Sequence, residues 1–264
     1  MSKSIALVVF SGGQDSTTCL AWAMKQFDEV HAITFQYGQR HAVEIESADK
    51  IARAAGVKSH KHVDITPMLQ ASSRMLAGDG ELDVSGELKS GIADTFVPLR
   101  NQTMLTVAAN YAYTIGAEHV VTGVCQTDSS GYPDCRRDFI DALQMSFNLG
   151  TFTGEGHLNR RIEIHTPLMW MTKAESVLFA TAISGAYGLL AWSHTAYTGG
   201  GPLDKDAASL LRQRGFEEAQ IPDPLVLRWF IERRYTVEEL PEWYNTIPSG
   251  RWAGYMKLAA TYVL

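Results

Sequence analysis

The sequence has little cysteine, no excess of positive charge and no long apolar run. Cys19, Cys125 and Cys135 are the only cysteines among 264 residues. An odd, scattered set excludes a disulfide framework and fits reduced thiols in a cytosol. It also excludes a four-cysteine zinc site within one chain. The formal net charge is −6, so the chain lacks the basic face that nonspecific binding to a nucleic-acid backbone requires. The pairs Arg136-Arg137 and Arg160-Arg161 offer only local basic patches. No apolar stretch reaches the roughly 20 residues that span a bilayer. The N-terminus shows no basic start, apolar run and small-residue cleavage site. The expectation is a cytoplasmic chain with no membrane contact and no direct nucleic-acid contact.

Apolar residues make up 45 % of the chain, enough for a substantial core. The length favours one domain with an appended part. Short β-branched runs alternate with stretches of helical spacing. Ile5–Phe10, Val30–Phe35, Lys58–Ile65, His119–Gly123 and Ile162–Thr166 read as strands. Asp15–Gln26, His41–Ala55, Arg100–Gly116, Arg136–Leu149 and Lys173–Ile183 read as the helices between and after them. That alternation predicts a Rossmann-like α/β fold, with a parallel five-stranded sheet, flanking helices and right-handed crossovers. Thr66–Thr95, rich in glycine and acids, reads as a long surface loop, and Thr151–Asn159 as a second one. An irregular segment starts at Gly199–Gly201. From Pro222 the chain is rich in Trp, Tyr and Arg and reads as a helical extension. The expected division is residues 1–185, binding ATP and substrate, and residues 186–264, an irregular and then helical C-terminal part.

The first strand runs into Ser11-Gly12-Gly13-Gln14-Asp15-Ser16, followed by Thr17 and an apolar helix. In an open parallel sheet, ligands bind where a strand ends and a helix begins. Two glycines let the backbone turn tightly and approach an anion. The helix-start amides and dipole suit a phosphate, and Ser11, Ser16 and Thr17 add hydroxyls. Asp15 repels phosphate unless a cation intervenes, so it reads as a Mg²⁺ contact or a helix cap. The loop is neither Walker A, since no Gly-Lys-Ser/Thr follows, nor GxGxxG.

This loop resembles that of the pyrophosphatase-loop ATP enzymes, which share SGGxDS and cleave ATP between its α and β phosphates. Five further stretches narrow the resemblance: FQYGQRH at 35–41, TFVPLRN at 95–101, TGVCQTD at 122–128, SGYPDCR at 130–136 and HTPLMWMTK at 165–173. In this order, over roughly residues 4–185, they are similar to the 7-cyano-7-deazaguanine synthase family, which supplies the precursor of queuosine. The resemblance implies a ligase that forms carbon–nitrogen bonds. Its substrates are 7-carboxy-7-deazaguanine, ammonia and ATP with Mg²⁺, and the chain is expected to act as a homodimer. ATP contacts are expected from Phe10, Ser11, Gly12, Gly13, Gln14, Asp15, Ser16, Thr17 and Gly123. Asp15, Arg100 and Lys173 are the expected catalytic groups, the two cations neutralising polyphosphate and carboxylate charge.

Tyr37, Phe96 and Tyr132 offer faces to a planar base, and Asp128 and Asp134 offer acceptors to a guanine-like edge. Gln39, Arg40, His41, Asn101 and Pro133 complete the expected substrate side, where His41 is a candidate to assist proton transfer to ammonia. Core packing for Phe96, helix capping for His41, a plain turn for Pro133 and surface exposure for the cations are the competing readings. Cys19 reads as a small packing residue.

Two departures stand out. The family carries a four-cysteine zinc site after the fifth strand, and the aligned positions here hold Ala196, Leu203, Asp206 and Ser209. Zinc is therefore not expected, although a structural zinc contributes about 10–16 kcal/mol in small zinc peptides. Packing by the aromatic tail is the expected replacement. Pro98-Leu99 also stands where the family has Pro-Gly. These changes admit a metal-free nitrile synthase. They equally admit a paralogue that stops at the amide or transfers the acyl group to another amine, in DNA modification or defence. A tRNA thiolase using Cys125 and Cys135, a non-catalytic nucleotide sensor and an electron-transfer flavoprotein are the more distant alternatives.

Overall fold

The computed structural model describes residues 3–38, 43–69, 96–127, 132–151, 160–195 and 200–261. Strand β1 (Ile5–Val9) occupies the middle of a sheet in the order β3-β2-β1-β4-β5, with β2 Glu29–Gln36, β3 Ser59–Asp64, β4 His119–Val121 and β5 Glu163–His165. Every pairing is parallel. The five expected strands and the five expected helices all form, with ends shifted by a few residues.

The pleat explains why β1 is apolar throughout. Ala6 and Val8 face one layer with α1 (Gln14–Gln26) and α2 (Val43–Ala55). Leu7 faces the other, with Leu105, Ala108 and Ala112 of the helix Arg100–Ile115 and Ile140 and Leu143 of the helix Arg137–Thr151. A strand covered on both faces has no polar side to show. With α3 the single turn Thr66–Leu69, those two helices are α4 and α5. The expected loop from Thr66 thus opens with a helical turn, because Asp64 Oδ1 accepts from Thr66 N at 2.8 Å and Pro67 suits a first turn. Residues 70–95 and 152–159, which hold most of the two expected loops, lie outside the described residues.

After β5 come α6 (Lys173–Ala182), α7 (Ala186–Leu190), α8 (Ala207–Glu218), α9 (Pro224–Ile231) and α10 (Ser249–Ala260). Packing continues across residue 185: Val177 and Ala180 of α6 share a cluster with Tyr187, Leu190, Phe216 and Ile221. A last cluster joins Val226, Leu227, Tyr244 and Ala259 to Leu203, Trp243, Trp252 and Tyr255.

Arg212 is fully buried in this C-terminal part. Its Nε donates to Asp223 Oδ2 at 2.5 Å, and its terminal nitrogens donate to Asp223 Oδ1, Ser193 Oγ and Thr195 Oγ1 at 2.8–2.9 Å. Asp223 also caps α9. A buried charge is tolerable only when paired and hydrogen-bonded in this way. No described helix is long and apolar enough to cross a membrane.

Candidate active site

The strand order reverses direction between β1 and β4, and the loops leaving these two strands form the crevice where open α/β sheets bind ligands. Gly12 has φ +81°, and a Cβ there would stand 2.8 Å from Ala48 N and 3.0 Å from Glu44 O of α2. Both the backbone conformation and the close approach require glycine. Gly13 is the N-cap of α1 and has no side chain with which to cap the first-turn amides. Those amides therefore remain for a ligand, and the dipole favours an anion. Ser16 Oγ lies 3.2 Å from Ser11 N and 3.1 Å from both Ser11 Oγ and Gly13 O, which ties the loop into its turn. Gly123, two residues past β4, presses on the same helix start: a Cβ there would be 3.1 Å from Ser16 N. His194 N closes the loop from behind, donating to Gly12 O at 3.0 Å.

Asp15 does not cap α1, contrary to one reading of the sequence, because the cap position is Gly13. Instead both Asp15 oxygens accept from Lys173 Nζ, at 2.9 and 2.8 Å. Lys173 opens α6, held there by a Thr172–Glu175 capping box. Gly215 of α8 packs on its side chain, since a Cβ would be 2.3 Å from Lys173 Cγ. The structure thus brings two of the three expected catalytic groups together at the start of α1.

Phe10 and Thr17 lie behind the loop. Phe10 is buried, its N bonds to Ile33 O, and its O accepts from Thr34 Oγ1 at 2.5 Å. Thr17 is fully buried, and its Oγ1 has no hydrogen-bond partner among the described residues. Gln14 is also buried.

Arg100, the third expected catalytic group, belongs to a second cluster beyond β2. Its guanidinium sits 5.7 Å from the centroid of the Tyr37 ring, just past the strand. The rings of Phe96 and Tyr132 lie 5.4 Å apart and tilted by 45°. Pro133, exposed, starts the turn Pro133–Cys135 that carries Asp134. Asn101 holds this turn to α4: its N donates to Asp134 Oδ2 and its Nδ2 to Asp134 O, both at 3.3 Å.

Burial raises the Asp134 carboxyl, opposed by the Arg100 charge and the Asn101 amide. Burial also raises the Tyr37 hydroxyl, against the pull of Arg100. Glu44 was missed in the sequence. Burial raises its carboxyl too, again opposed by Arg100. The only signal was an acid one turn into the helix after FQYGQRH. Gln39, Arg40, His41 and Asp128 lie outside the described residues.

Leu99, the N-cap of α4, has φ +62° and ψ +11°. A non-glycine residue in this left-handed region carries a cost of about 1–2 kcal/mol. Its side chain is 61 % exposed and recovers little by burial.

Burial pushes the Cys135 thiol up to about 12, with the neighbouring Asp134 charge adding to it, and burial also raises Cys19. Cys125 Sγ donates to Met171 O at 3.1 Å. A thiol so far from ionisation is a poor nucleophile.

The positions aligned with zinc-binding cysteines do not fit the metal. Ala196 lies outside the described residues. Asp206 Oδ1 accepts from Ala208 N and Ser209 N, and its Oδ2 from Ser209 Oγ at 2.6 Å, which caps α8. Leu203 packs into the C-terminal cluster. A cap carboxylate, a buried alcohol and an aliphatic chain make no tetrahedral thiolate site.

Residues 5–220 match the sequence model of a family described as queuosine biosynthesis protein QueC. The 7-cyano-7-deazaguanine synthase of Chromobacterium violaceum is 48 % identical over 236 residues, covering 86 % of this chain and 95 % of that protein. The 7-cyano-7-deazaguanine synthase of Gloeobacter violaceus is 45 % identical over 225 residues, covering 83 % and 94 %. Among solved structures, a 4-thiouridine synthetase–RNA complex with bound ATP overlaps 82 % of this chain and 50 % of that one, at 18 % identity and a TM-score of 0.43.

Proposed function

The chain belongs to the 7-cyano-7-deazaguanine synthase family of queuosine biosynthesis, and from that membership we propose that it activates 7-carboxy-7-deazaguanine with ATP and condenses it with ammonia. The observation that carries this reading is the pairing of two regions through Glu44, whose backbone oxygen backs Gly12 and whose carboxyl interacts with Arg100. One is an uncapped helix start with a glycine turn. The other is a group of aromatic faces beside Arg100 and a buried acid.

In the proposed sequence, a carboxylate oxygen attacks the α-phosphorus of ATP, the bond to the bridging oxygen breaks, and pyrophosphate leaves. Ammonia then attacks the acyl carbon, loses a proton and expels AMP, leaving the amide. A second ATP activates the amide oxygen in the same way. Loss of AMP and of both N–H protons gives the nitrile.

The first-turn amides of α1, with Ser11, Gly12, Gly13 and Ser16, hold the departing pyrophosphate. Lys173 supplies positive charge to it, and Asp15 keeps that ammonium in place before ATP arrives. Gly123 gives the polyphosphate room against α1. Phe10, Gln14 and Thr17 act from behind by fixing the loop. Mg²⁺ bound with the polyphosphate would supply further positive charge there, beside the Asp15 carboxylate that faces Lys173.

Tyr37, Phe96 and Tyr132 sandwich the base. Asp134 faces its polar edge, and Arg100 draws in the carboxylate. Pro133 and Asn101 hold the turn, and Gln39, Arg40, His41 and Asp128 remain candidates for the substrate side. Residues 1–185 supply both regions. Residues 186–264 buttress them, with the Asp206 cap and the aromatic clusters in place of a metal.

The test is mass spectrometry of products after incubation with ATP, Mg²⁺, ammonium and 7-carboxy-7-deazaguanine. The expected result is the 7-cyano base with two AMP per nitrile. Accumulation of the amide alone would replace this reading with an enzyme that stops halfway, and bound ATP without AMP would leave a nucleotide sensor.

A further inference from the structure

Three side chains at the edge of the sheet take no part in the crevice. In the parallel register His119 of β4 stands beside Glu163 of β5, and His165 lies two residues further along β5. Residues two apart on a strand share a face, so the ladder itself places all three together. His119 Nδ1 and His165 Nε2 are 3.0 Å apart, and Glu163 Oε2 is 3.5 Å from the first and 3.6 Å from the second. A triangle with these sides has one point about 2.0 Å from every corner, which is the length of a zinc–imidazole or zinc–carboxylate bond. Calcium needs longer bonds and mostly oxygen donors, and magnesium also prefers oxygen. Two imidazoles and a carboxylate suit zinc and its first-row neighbours.

The rings are also fixed in orientation. Phe27 packs on His119 with centroids 4.7 Å apart and on His165 at 5.5 Å, and Trp22 lies 5.7 Å from His165. The Glu163 side chain is 61 % exposed, and the two imidazoles are 24 % and 21 % exposed, so an ion has a path in and water can complete its shell. Trp22 and Phe27 lie at the end of α1 remote from the glycine loop, on the order of 15 Å away by helix rise.

We propose that His119, Glu163 and His165 bind one divalent transition-metal ion, zinc by its bond length. The ion clips the three-residue edge strand β5 to β4. This site is separate from the cysteine positions discussed above and from the nucleotide crevice. Without a metal, the same contact is a single proton shared by two imidazoles beside an acid.

The two cases differ in stoichiometry. Untagged full-length protein, stripped with a chelator, is dialysed against micromolar zinc, and bound metal is counted by mass spectrometry. Asp49, His60 and His62 form another group with metal-ligand spacing, so the readout is the difference between wild type and Glu163→Gln. Glu163 is exposed, so this variant is expected to keep the fold, which circular dichroism checks. The proposal expects Glu163→Gln and His165→Gln each to bind one equivalent less than wild type, while Asp49→Asn leaves that equivalent in place. It also expects zinc to raise the melting temperature of wild type more than that of Glu163→Gln. Equal zinc content in wild type and Glu163→Gln would overturn it, whatever the total.

Discussion

The loop after β1 and the C-terminal buttress both depend on polar groups in tight places, but the constraints differ in kind. At the loop the backbone is constrained. Gly12 has a left-handed φ and no room for a Cβ, and the first-turn amides keep no side-chain cap. In the buttress the side chains are constrained. Arg212 is enclosed, with Asp223, Ser193 and Thr195 each taking one or two of its hydrogens. The loop leaves its first-turn amides without a side-chain cap, as the proposed anion site requires. Around Arg212 the described polar groups satisfy one another, and that network ties elements together. Changes in the first should alter catalysis more than stability, and changes in the second should do the reverse.

The sharpest break in that contrast comes from Arg212. Arg212→Met leaves Asp223 buried and unpaired, and should cost about 3–5 kcal/mol. In a chain of this size that is a drop of roughly 2–4 °C in Tm per kcal/mol, read by calorimetry. Replacing both partners, as Arg212→Met with Asp223→Leu, should recover much of the loss. Activity per folded molecule should stay within a few-fold of wild type in both.

At the loop, Lys173→Met should lower kcat by about 100- to 1,000-fold, in line with loss of one charge-stabilising donor. The Asp15–Lys173 pair is partly exposed, so Tm should move by no more than about 1 kcal/mol of stability implies. A large fall in Tm with little change in AMP release would reverse the contrast.

Smaller effects sharpen it. Tyr37→Ala should raise KM for the deazaguanine by roughly tenfold or more through lost stacking, about 1–3 kcal/mol per base, with KM for ATP almost unchanged in steady-state kinetics. Leu99→Gly exchanges left-handed strain for a more flexible unfolded chain. Its unfolding free energy, read from denaturant melts, should rise by less than about 1 kcal/mol.

The fold was legible because its signals are local. Ile5–Val9 is apolar on both pleats, and Gly12-Gly13 mark the turn into α1, so strand, loop and helix could be read within some twenty residues. What could not be read depends on pairing across the chain. Lys173 reaches Asp15 over 158 positions, and nothing near Asp15 announces that its partner is a lysine rather than a cap. Thr17 reads as a hydroxyl donor because it follows SGGQDS, while its burial with an unpartnered Oγ1 among the described residues needed the structure. Leu99 could be flagged as a departure from glycine, while its positive φ needed the backbone. His119, Glu163 and His165 meet only through the β4–β5 register, so no spacing in the sequence marks them.

The most direct test of the central claim is pyrophosphate exchange: incorporation of labelled pyrophosphate into ATP, with and without 7-carboxy-7-deazaguanine and in the absence of ammonia. The account predicts exchange that requires the carboxylated base and is lost in Gly12→Ala, whose Cβ would collide with α2 at Ala48 N. Exchange that proceeds equally without the base, or survives Gly12→Ala unchanged, would contradict adenylation at this loop.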